Sequence, residues 1–287
     1  NAQWEETTII YGLLDASDEN PLQKIKISKA FLGELDAYEM AQYTDSINFD
    51  IDELDVIIYK RGLSEIEVSK SLNAVPTLRD GDIFNDSIVF YEFVNDSSFL
   101  QKGYEYELVI KSKSGNIVTS RTEIVTGFDF DIIFQNTSSS ERPSFPFGLY
   151  TNDGDFKSST ITWKDANDNG KIYQLDLIIN YTEESGSNSL SKSLTYSLPL
   201  VDDTEDKIRI EGEDFFNFLA LNLDNNQSVI RYFNGIDMLM TVGSENLETY
   251  INVNKPITGI VQERPQFTNI NNGIGLFSSR FTKLIEN

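Results

Sequence analysis

Residues 100–125, LQKGYEYELVIKSKSGNIVTSRTEIV, decide the fold. Apolar residues stand at every second position at Tyr106, Leu108 and Ile110, residues 117–125 are rich in β-branched residues, and the polar segment 111–116 separates the two runs. An alternation with a period of two places one side chain in the core and the next in solvent, as in a half-buried strand. The stretch therefore predicts two β-strands joined by a tight turn.

The spacing at the start of this stretch is more specific than its alternation. Leu100, Gly103, Tyr106 and Leu108 follow the pattern L-x-x-G-x-x-Y-x-L. This pattern resembles the tyrosine corner of immunoglobulin-like and fibronectin type III sandwiches, where a tyrosine hydroxyl bonds to upstream backbone. A simple hairpin preceded by glycine is the alternative. We predict a structural role for Leu100, Gly103 and Tyr106 in an immunoglobulin-like β-sandwich.

Short alternating runs, rich in β-branched and aromatic residues, recur along the rest of the chain. With 39% hydrophobic and 12% aromatic residues, the composition is sufficient for real cores. The fold class expected is mainly all-β. The predicted strands are residues 8–14, 23–28, 54–59, 87–93, 106–111, 117–125, 159–163, 171–180, 193–199, 229–232 and 239–242.

A break in this pattern at residues 127–148, rich in Ser, Asn and Pro, predicts a domain boundary near residue 127. Residues 1–127 would form the immunoglobulin-like sandwich. Residues 128–287 would form a second β-rich domain that opens with a hairpin of residues 159–163 and 171–180. Two short helices, at 213–222 and 245–253, are predicted within this second domain.

Composition excludes several classes of chemistry. The chain has 46 acidic and 23 basic side chains, a net charge of -23, and neither histidine nor cysteine. Serine-histidine triads, thiol nucleophiles and thiolate metal sites are therefore excluded, and the negative field disfavours nucleic acid. A carboxylate-pair glycoside hydrolase needs only two acids and remains open as a third hypothesis. We predict a protein that is not an enzyme and has no cofactor.

One segment matches a calcium-loop pattern. Asp165, Asn167, Asn169, Gly170 and Asp176 follow D-x-[DN]-x-[DN]-G-x5-D. Oxygen ligands at these positions suit calcium. However, the flanking segments read as strands and the last position lacks the usual glutamate, so a polar hairpin turn is the competing interpretation.

Two groups of aromatic and apolar residues are candidates for recognition. The insert at residues 30–46 is either packed on its own core or offered to a partner; its candidate contact residues are Phe31, Leu32, Leu35, Tyr38, Met40 and Tyr43. Rings in or beside predicted loops would suit stacking on sugars; these are Trp4, Trp163, Tyr38, Tyr43, Tyr150 and Phe156.

Several stretches together resemble an uncharacterised family of β-rich outer-membrane lipoproteins from Bacteroidota, Flavobacterium-like in character. The resemblance covers nearly the whole chain and brings no enzymatic residues. It is carried by residues 10–15, 25–33, 161–163, 172–177, 180–183 and 268–277.

The resemblance implies a location. Such lipoproteins are anchored through a lipidated cysteine, which would here precede Asn1, and often face the cell surface. Ser46 and Ser87, in Asp-Ser-Ile triplets, are similar to O-glycosylation sites of these organisms. The expected function is that of a non-catalytic interaction subunit of an outer-membrane machine for barrel assembly, secretion or uptake. Its expected partners are an integral β-barrel or other surface lipoproteins. A glycan-binding lipoprotein of a polysaccharide uptake system is the alternative.

Overall fold

The computed structural model describes residues 7–17, 20–30, 47–62, 65–78, 87–96, 99–127, 150–163, 169–256 and 266–286. The chain divides into two compact units. Unit 1 comprises Asn1–Thr126 and Gly243–Phe281, and unit 2 comprises Gly127–Val242 and Thr282–Asn287.

Unit 1 is built from ten strands and one helix within its described residues. The strands, in chain order, are β1 (Thr7–Asp15), β2 (Leu22–Ala30), β3 (Leu54–Arg61), β4 (Ile66–Ser71), β5 (Asn73–Leu78), β6 (Ser87–Val94), β7 (Glu105–Ser112), β8 (Ile117–Glu123), β15 (Ile270–Asn271) and β16 (Gly273–Ile285). One sheet has the order β16-β1-β2-β6-β5 and the other has the order β15-β8-β7-β3-β4.

These sheets form an immunoglobulin-like sandwich. The order β1-β2-β6-β5 in one sheet and β3-β7-β8 in the other is the strand order of constant-type immunoglobulin domains. The inward-facing residues of both sheets share one hydrophobic core, in which Ile10, Ile25, Ile58 and Leu108 are fully buried. The expected all-β class and the sandwich are confirmed.

Tyr106 ties the start of β7 to the backbone that precedes it. Its hydroxyl donates to the Phe99 carbonyl oxygen at 2.6 Å and accepts a hydrogen bond from the Gln101 amide at 2.7 Å. The ring is fully buried and packs edge-on against Phe99. This is the geometry of a tyrosine corner, and Gly103 beside it adopts a positive φ of 84°. Leu100 is buried in the same core.

β16 is not among the predicted strands, and it pairs with β1 in parallel. Gly275 lies opposite Ile10 in this pair. It has a φ of 118°, and a Cβ atom there would overlap the Ile10 carbonyl oxygen. Glycine is therefore required for the C-terminal strand to approach β1 this closely.

Unit 2 is a second β-rich unit with one helix among its described residues. Its elements are β9 (Ser159–Thr162), β10 (Ile172–Ser185), β11 (Asn188–Ser197), β12 (Val201–Asp202), β13 (Lys207–Ile210), α1 (Gly212–Asn222) and β14 (Ile230–Gly243). β11, β10 and β14 lie side by side in that order, and β12 pairs with β10.

The predicted hairpin of residues 159–163 and 171–180 is wrong. β9 pairs with β13, and β10 pairs with β11 through ten residue pairs. Both β10 and β11 are long, and a two-residue turn at Ser185–Asn188 joins them directly. β10 therefore pairs with β11, the strand that follows it along the chain. β9 pairs with β13, which is farther away in sequence.

The two predicted helices are present, but the predicted second domain is not one continuous segment. The second helix, α2 (Glu245–Asn254), belongs to unit 1 together with most of β16. The pairing of β16 with β1 draws the C-terminal segment back to the first sheet, and α2 precedes it. Along the chain, most of unit 2 thus lies between β8 and α2, both of which belong to unit 1. Within the described part of the chain, neither helix has the length and apolar character needed to cross a membrane.

Candidate binding surfaces

The predicted partner-contact residues Phe31, Leu32, Leu35, Tyr38, Met40 and Tyr43 lie outside the described residues. Ser46 also lies outside them. Ser87 begins β6, and only its backbone is described. The interaction and glycosylation hypotheses for these residues therefore stay predictions.

The calcium hypothesis is only partly within the described residues. Asp165 and Asn167 lie outside them, whereas Asn169 precedes β10 and Asp176 lies within it. The Oδ1 atom of Asp176 is buried and has no hydrogen-bond partner in the described part of the chain. Among the described residues no group of three or more acidic side chains is arranged to hold a metal ion.

The predicted sugar-stacking rings have different environments. Trp163 is only 3% exposed and packs on Tyr173, so its ring faces the core of unit 2 and the surface prediction for it is wrong. Tyr150 is 59% exposed and stacks on Phe156 with ring centroids 4.8 Å apart. Trp4, Tyr38 and Tyr43 lie outside the described residues.

A groove in unit 1 lies between α2 and the outer face of β16, β1 and β2. Because side chains alternate along β1, Ile10 and Leu14 enter the core while Tyr11, Leu13 and Asp15 face outward. The helix is held over this face at its N-terminus. The Ser244 amide donates to the Ser279 carbonyl oxygen at 3.1 Å, and the Ser244 and Ser278 hydroxyls are 2.6 Å apart.

The groove has a volume of about 550 Å³, which is within the range of small-molecule sites. Its lining combines aliphatic side chains, two tyrosines and one polar end. The lining residues are Tyr11, Gly12, Leu13, Asp15, Asn20, Leu22, Gln23, Lys24, Leu247, Tyr250, Ile251, Leu276 and Arg280.

Asp15 organises the polar end of the groove. Its Oδ1 accepts from the Ser17 amide at 3.0 Å and the Ser17 hydroxyl at 2.6 Å. Its Oδ2 accepts from Asn20 Nδ2 and from Arg280 Nε, each at 3.0 Å. The Gln23 side chain ties the backbone of Asp15 on both sides, accepting from its amide and donating to its carbonyl oxygen. The Asp15 carboxylate is thereby held in one position and covered from solvent.

Two tyrosines form the aromatic wall. Tyr11 on β1 and Tyr250 on α2 meet edge to face, with ring centroids 6.2 Å apart. A side-chain hydrogen bond with Tyr11, followed by burial, raises the pKa of the Tyr250 hydroxyl. Tyr250 is therefore neutral at physiological pH, and this wall is uncharged on the helix side.

A second candidate surface lies at one end of the unit 2 sheet. We name it the apolar end and define it by Leu190, Leu221, Ile230, Tyr232 and Phe233. All five are exposed, and Phe233 is 66% exposed. Exposed apolar residues also occur in unit 1, where all except Tyr11 are aliphatic among the described residues.

An ion network lies beside the apolar end. Glu183 on β10 binds Lys192 on β11 and Arg231 on β14. Leu190 pairs directly with Glu183, and Arg231 also donates to the Asp224 carbonyl oxygen just after α1. Hydrogen bonds from Lys192 and then Arg231 hold the pKa of Glu183 below its usual value. The ion network thus lies next to Leu190, and Arg231 stands between Ile230 and Tyr232 in β14.

The sequence gives little warning of either surface. Asp15 and Arg280 are 265 positions apart, and only the pairing of β1 with β16 brings them together. Tyr232 ends the predicted strand 229–232 and Phe233 follows it, and sequence spacing does not distinguish an exposed ring from a core ring. A signal for the apolar end exists only in the two adjacent aromatic residues, since a regular half-buried strand alternates.

No protein-family model matches this chain, and a comparison with curated proteins gives no match.

Proposed function

We propose that this protein is a non-catalytic accessory subunit of an outer-membrane protein machine for β-barrel assembly, secretion or uptake. It is displayed at the cell surface by a lipid anchor on a cysteine ahead of Asn1. The location and the anchor rest on the resemblance to Bacteroidota lipoproteins. The non-catalytic character rests on a sequence without histidine or cysteine.

The apolar end of unit 2 is the observation that carries the interaction role. Large apolar side chains exposed close together mark interaction sites, because water contact there is unfavourable. Interfaces are enriched in aromatic residues, and a few such anchors supply most of the binding energy. Tyr232 and Phe233 follow each other in β14 and therefore expose rings on both faces of this end of the sheet, and the Glu183 network supplies the polar surroundings.

The test is isolation from the native membrane in mild detergent through a tag on Asn287. We expect one integral barrel to co-purify at a constant molar ratio. The double variant Tyr232→Ser and Phe233→Ser is expected to lose the barrel while keeping its thermal unfolding midpoint, since both side chains are already in water. Recovery of the unmodified protein alone would contradict the accessory role.

Glycan binding is the second candidate, and the exposed Tyr150 ring favours it. Aromatic faces stack on sugar rings, and Tyr150 is supported from behind by Phe156. A polysaccharide that binds the unmodified protein and is lost in Tyr150→Ala would favour this function. Phe233→Ser serves as the control and should bind the polysaccharide normally.

A further inference from the structure

We propose that the groove between α2 and the outer face of β16, β1 and β2 binds a small monocarboxylate with an apolar or aromatic body, whose carboxylate is received by Arg280. This site is separate from the apolar end and does not depend on the accessory function.

The groove is electrically balanced in a chain of net charge -23. The charged residues of its lining are Asp15, Lys24 and Arg280. Arg280 is paired with Asp15, and Lys24 is paired with Glu92 at 2.9 Å, so these four charges sum to zero. Asp15 accepts four hydrogen bonds and its side chain is only 3% exposed, so its oxygen atoms are already satisfied within the protein.

Arg280 is positioned by Asp15 and still has donors to offer. Only its Nε is bonded, and among the described residues the two Nη groups have no hydrogen-bond partner. The side chain is 39% exposed. A guanidinium presents its donors in a planar fork that matches a carboxylate. Because Asp15 fixes one edge of the guanidinium, the remaining donors are held ready for a ligand.

The rest of the lining selects an apolar body over a sugar. Leu13, Leu22, Leu247, Ile251 and Leu276 contribute aliphatic surface, and Tyr11 and Tyr250 contribute ring edges and faces. The side-chain amide of Gln23 is already hydrogen-bonded within the protein: its oxygen accepts from the Asp15 amide, and its nitrogen donates to the carbonyl oxygens of Asp15 and Asn20. Few polar atoms are left for the many hydroxyls of a saccharide, whereas an apolar body covers the aliphatic wall.

The experiment is calorimetric titration of the full chain with N-acetyl-L-phenylalanine and with its neutral amide. The two probes have nearly the same shape and differ in the carboxylate. We expect the acid to bind at least about tenfold more tightly, because charge-assisted hydrogen bonds to arginine are among the stronger ones. Equal affinities, or binding of neither probe, would overturn the proposal.

Two variants locate the site. Arg280→Gln is expected to equalise the affinities for the two probes, but it also removes the hydrogen bond from Arg280 to Asp15, so its effect on folding must be separated from its effect on binding. Leu22→Glu avoids this problem because Leu22 is 43% exposed, and it places a carboxylate in the groove that repels the acid. Leu78→Glu is the matched control, since Leu78 is exposed on β5 away from the groove. If Leu22→Glu still bound the acid more tightly than the amide by the wild-type factor, or if Leu78→Glu lost this difference, the assignment would be contradicted.

Discussion

Tyr106 in unit 1 and Tyr232 in unit 2 are the same residue type in opposite environments. Tyr106 is fully buried, and its hydroxyl joins β7 to the backbone of Phe99 and Gln101. Tyr232 is 48% exposed beside an exposed Phe233. The first tyrosine stabilises the scaffold, whereas the second offers its ring to solvent. Among the described aromatic residues, unit 1 exposes Tyr11, whereas unit 2 exposes Tyr150, Tyr232 and Phe233.

Truncation of a leucine in each unit gives the largest expected contrast. Leu108→Ala removes a fully buried side chain from the core of the sandwich and should lower the free energy of unfolding by about 2–5 kcal/mol. Leu190→Ala, at a 59% exposed position, should change it by no more than about 0.5 kcal/mol. Urea unfolding followed by circular dichroism measures both. Similar losses in the two variants would remove the distinction between the units.

Removal of the hydroxyl group from one tyrosine in each unit gives the second-largest expected difference in stability. Tyr106→Phe leaves the buried Phe99 carbonyl without its donor and should cost about 1–3 kcal/mol. Tyr232→Phe removes a hydroxyl at an exposed position and should be nearly neutral. The same urea titration tests both variants. A neutral Tyr106→Phe would show that the corner does not stabilise the sandwich.

High pH provides a smaller and more selective test of the unit 1 core. Burial, and then the charge of Glu53, raises the pKa of Tyr91 to about 12 from an ordinary value of 10. The folded state therefore favours the neutral phenol. Its contribution to stability is complete below pH 10 and is lost as the pH rises from 10 to about 12.

Tyr91→Phe isolates this effect. The Tyr91 hydroxyl is buried with no hydrogen-bond partner among the described residues, so its removal is tolerated at pH 8. Between pH 10 and 12 the wild-type protein should lose stability relative to the variant. A constant difference in unfolding free energy from pH 8 to 12 would contradict the burial of a protonated tyrosine.

Low pH gives the smallest expected effect. Desolvation alone would raise the pKa of Glu107, but the hydrogen bonds and charges of Arg61 and Arg121 outweigh it and lower the pKa. Stability from this group is present above pH 4.5 and is lost as the pH falls below it. Glu107→Gln should therefore reduce the acid sensitivity of unfolding slightly. An unchanged pH profile between 5 and 3 would show that the ion pairs with Arg61 and Arg121 contribute nothing.

Local patterns predicted six strands of the sandwich, β1, β2, β3, β6, β7 and β8, and missed β4 and β5. The spacing from Leu100 to Leu108 indicated the corner, and the polar turn between β7 and β8 indicated their hairpin. The return of β16 to β1 depends on contacts between residues more than 260 positions apart, such as Ile10 and Gly275. No local period encodes such a pairing, so the predicted second domain included residues 243–281, which cluster with unit 1, although the boundary near residue 127 coincides with the observed division.

The candidate surfaces were less predictable than the fold. Trp163 and Phe233 both fall in or beside strands, yet Trp163 is buried and Phe233 is exposed. Which face of a strand meets the core is decided by sheet packing. The lining of the groove likewise gathers residues from β1, β2, α2 and β16, and these become neighbours only after the fold is complete.

The measurement that tests the account most directly is the molar ratio of co-purified barrel to tagged protein for Phe233→Ser and Leu78→Ser. Both positions are exposed and apolar, at 66% and 79%, and they lie in different units. The account predicts that Phe233→Ser loses the barrel while Leu78→Ser keeps the wild-type ratio. Equal retention in both variants, with both proteins folded, would contradict the assignment of recognition to the apolar end.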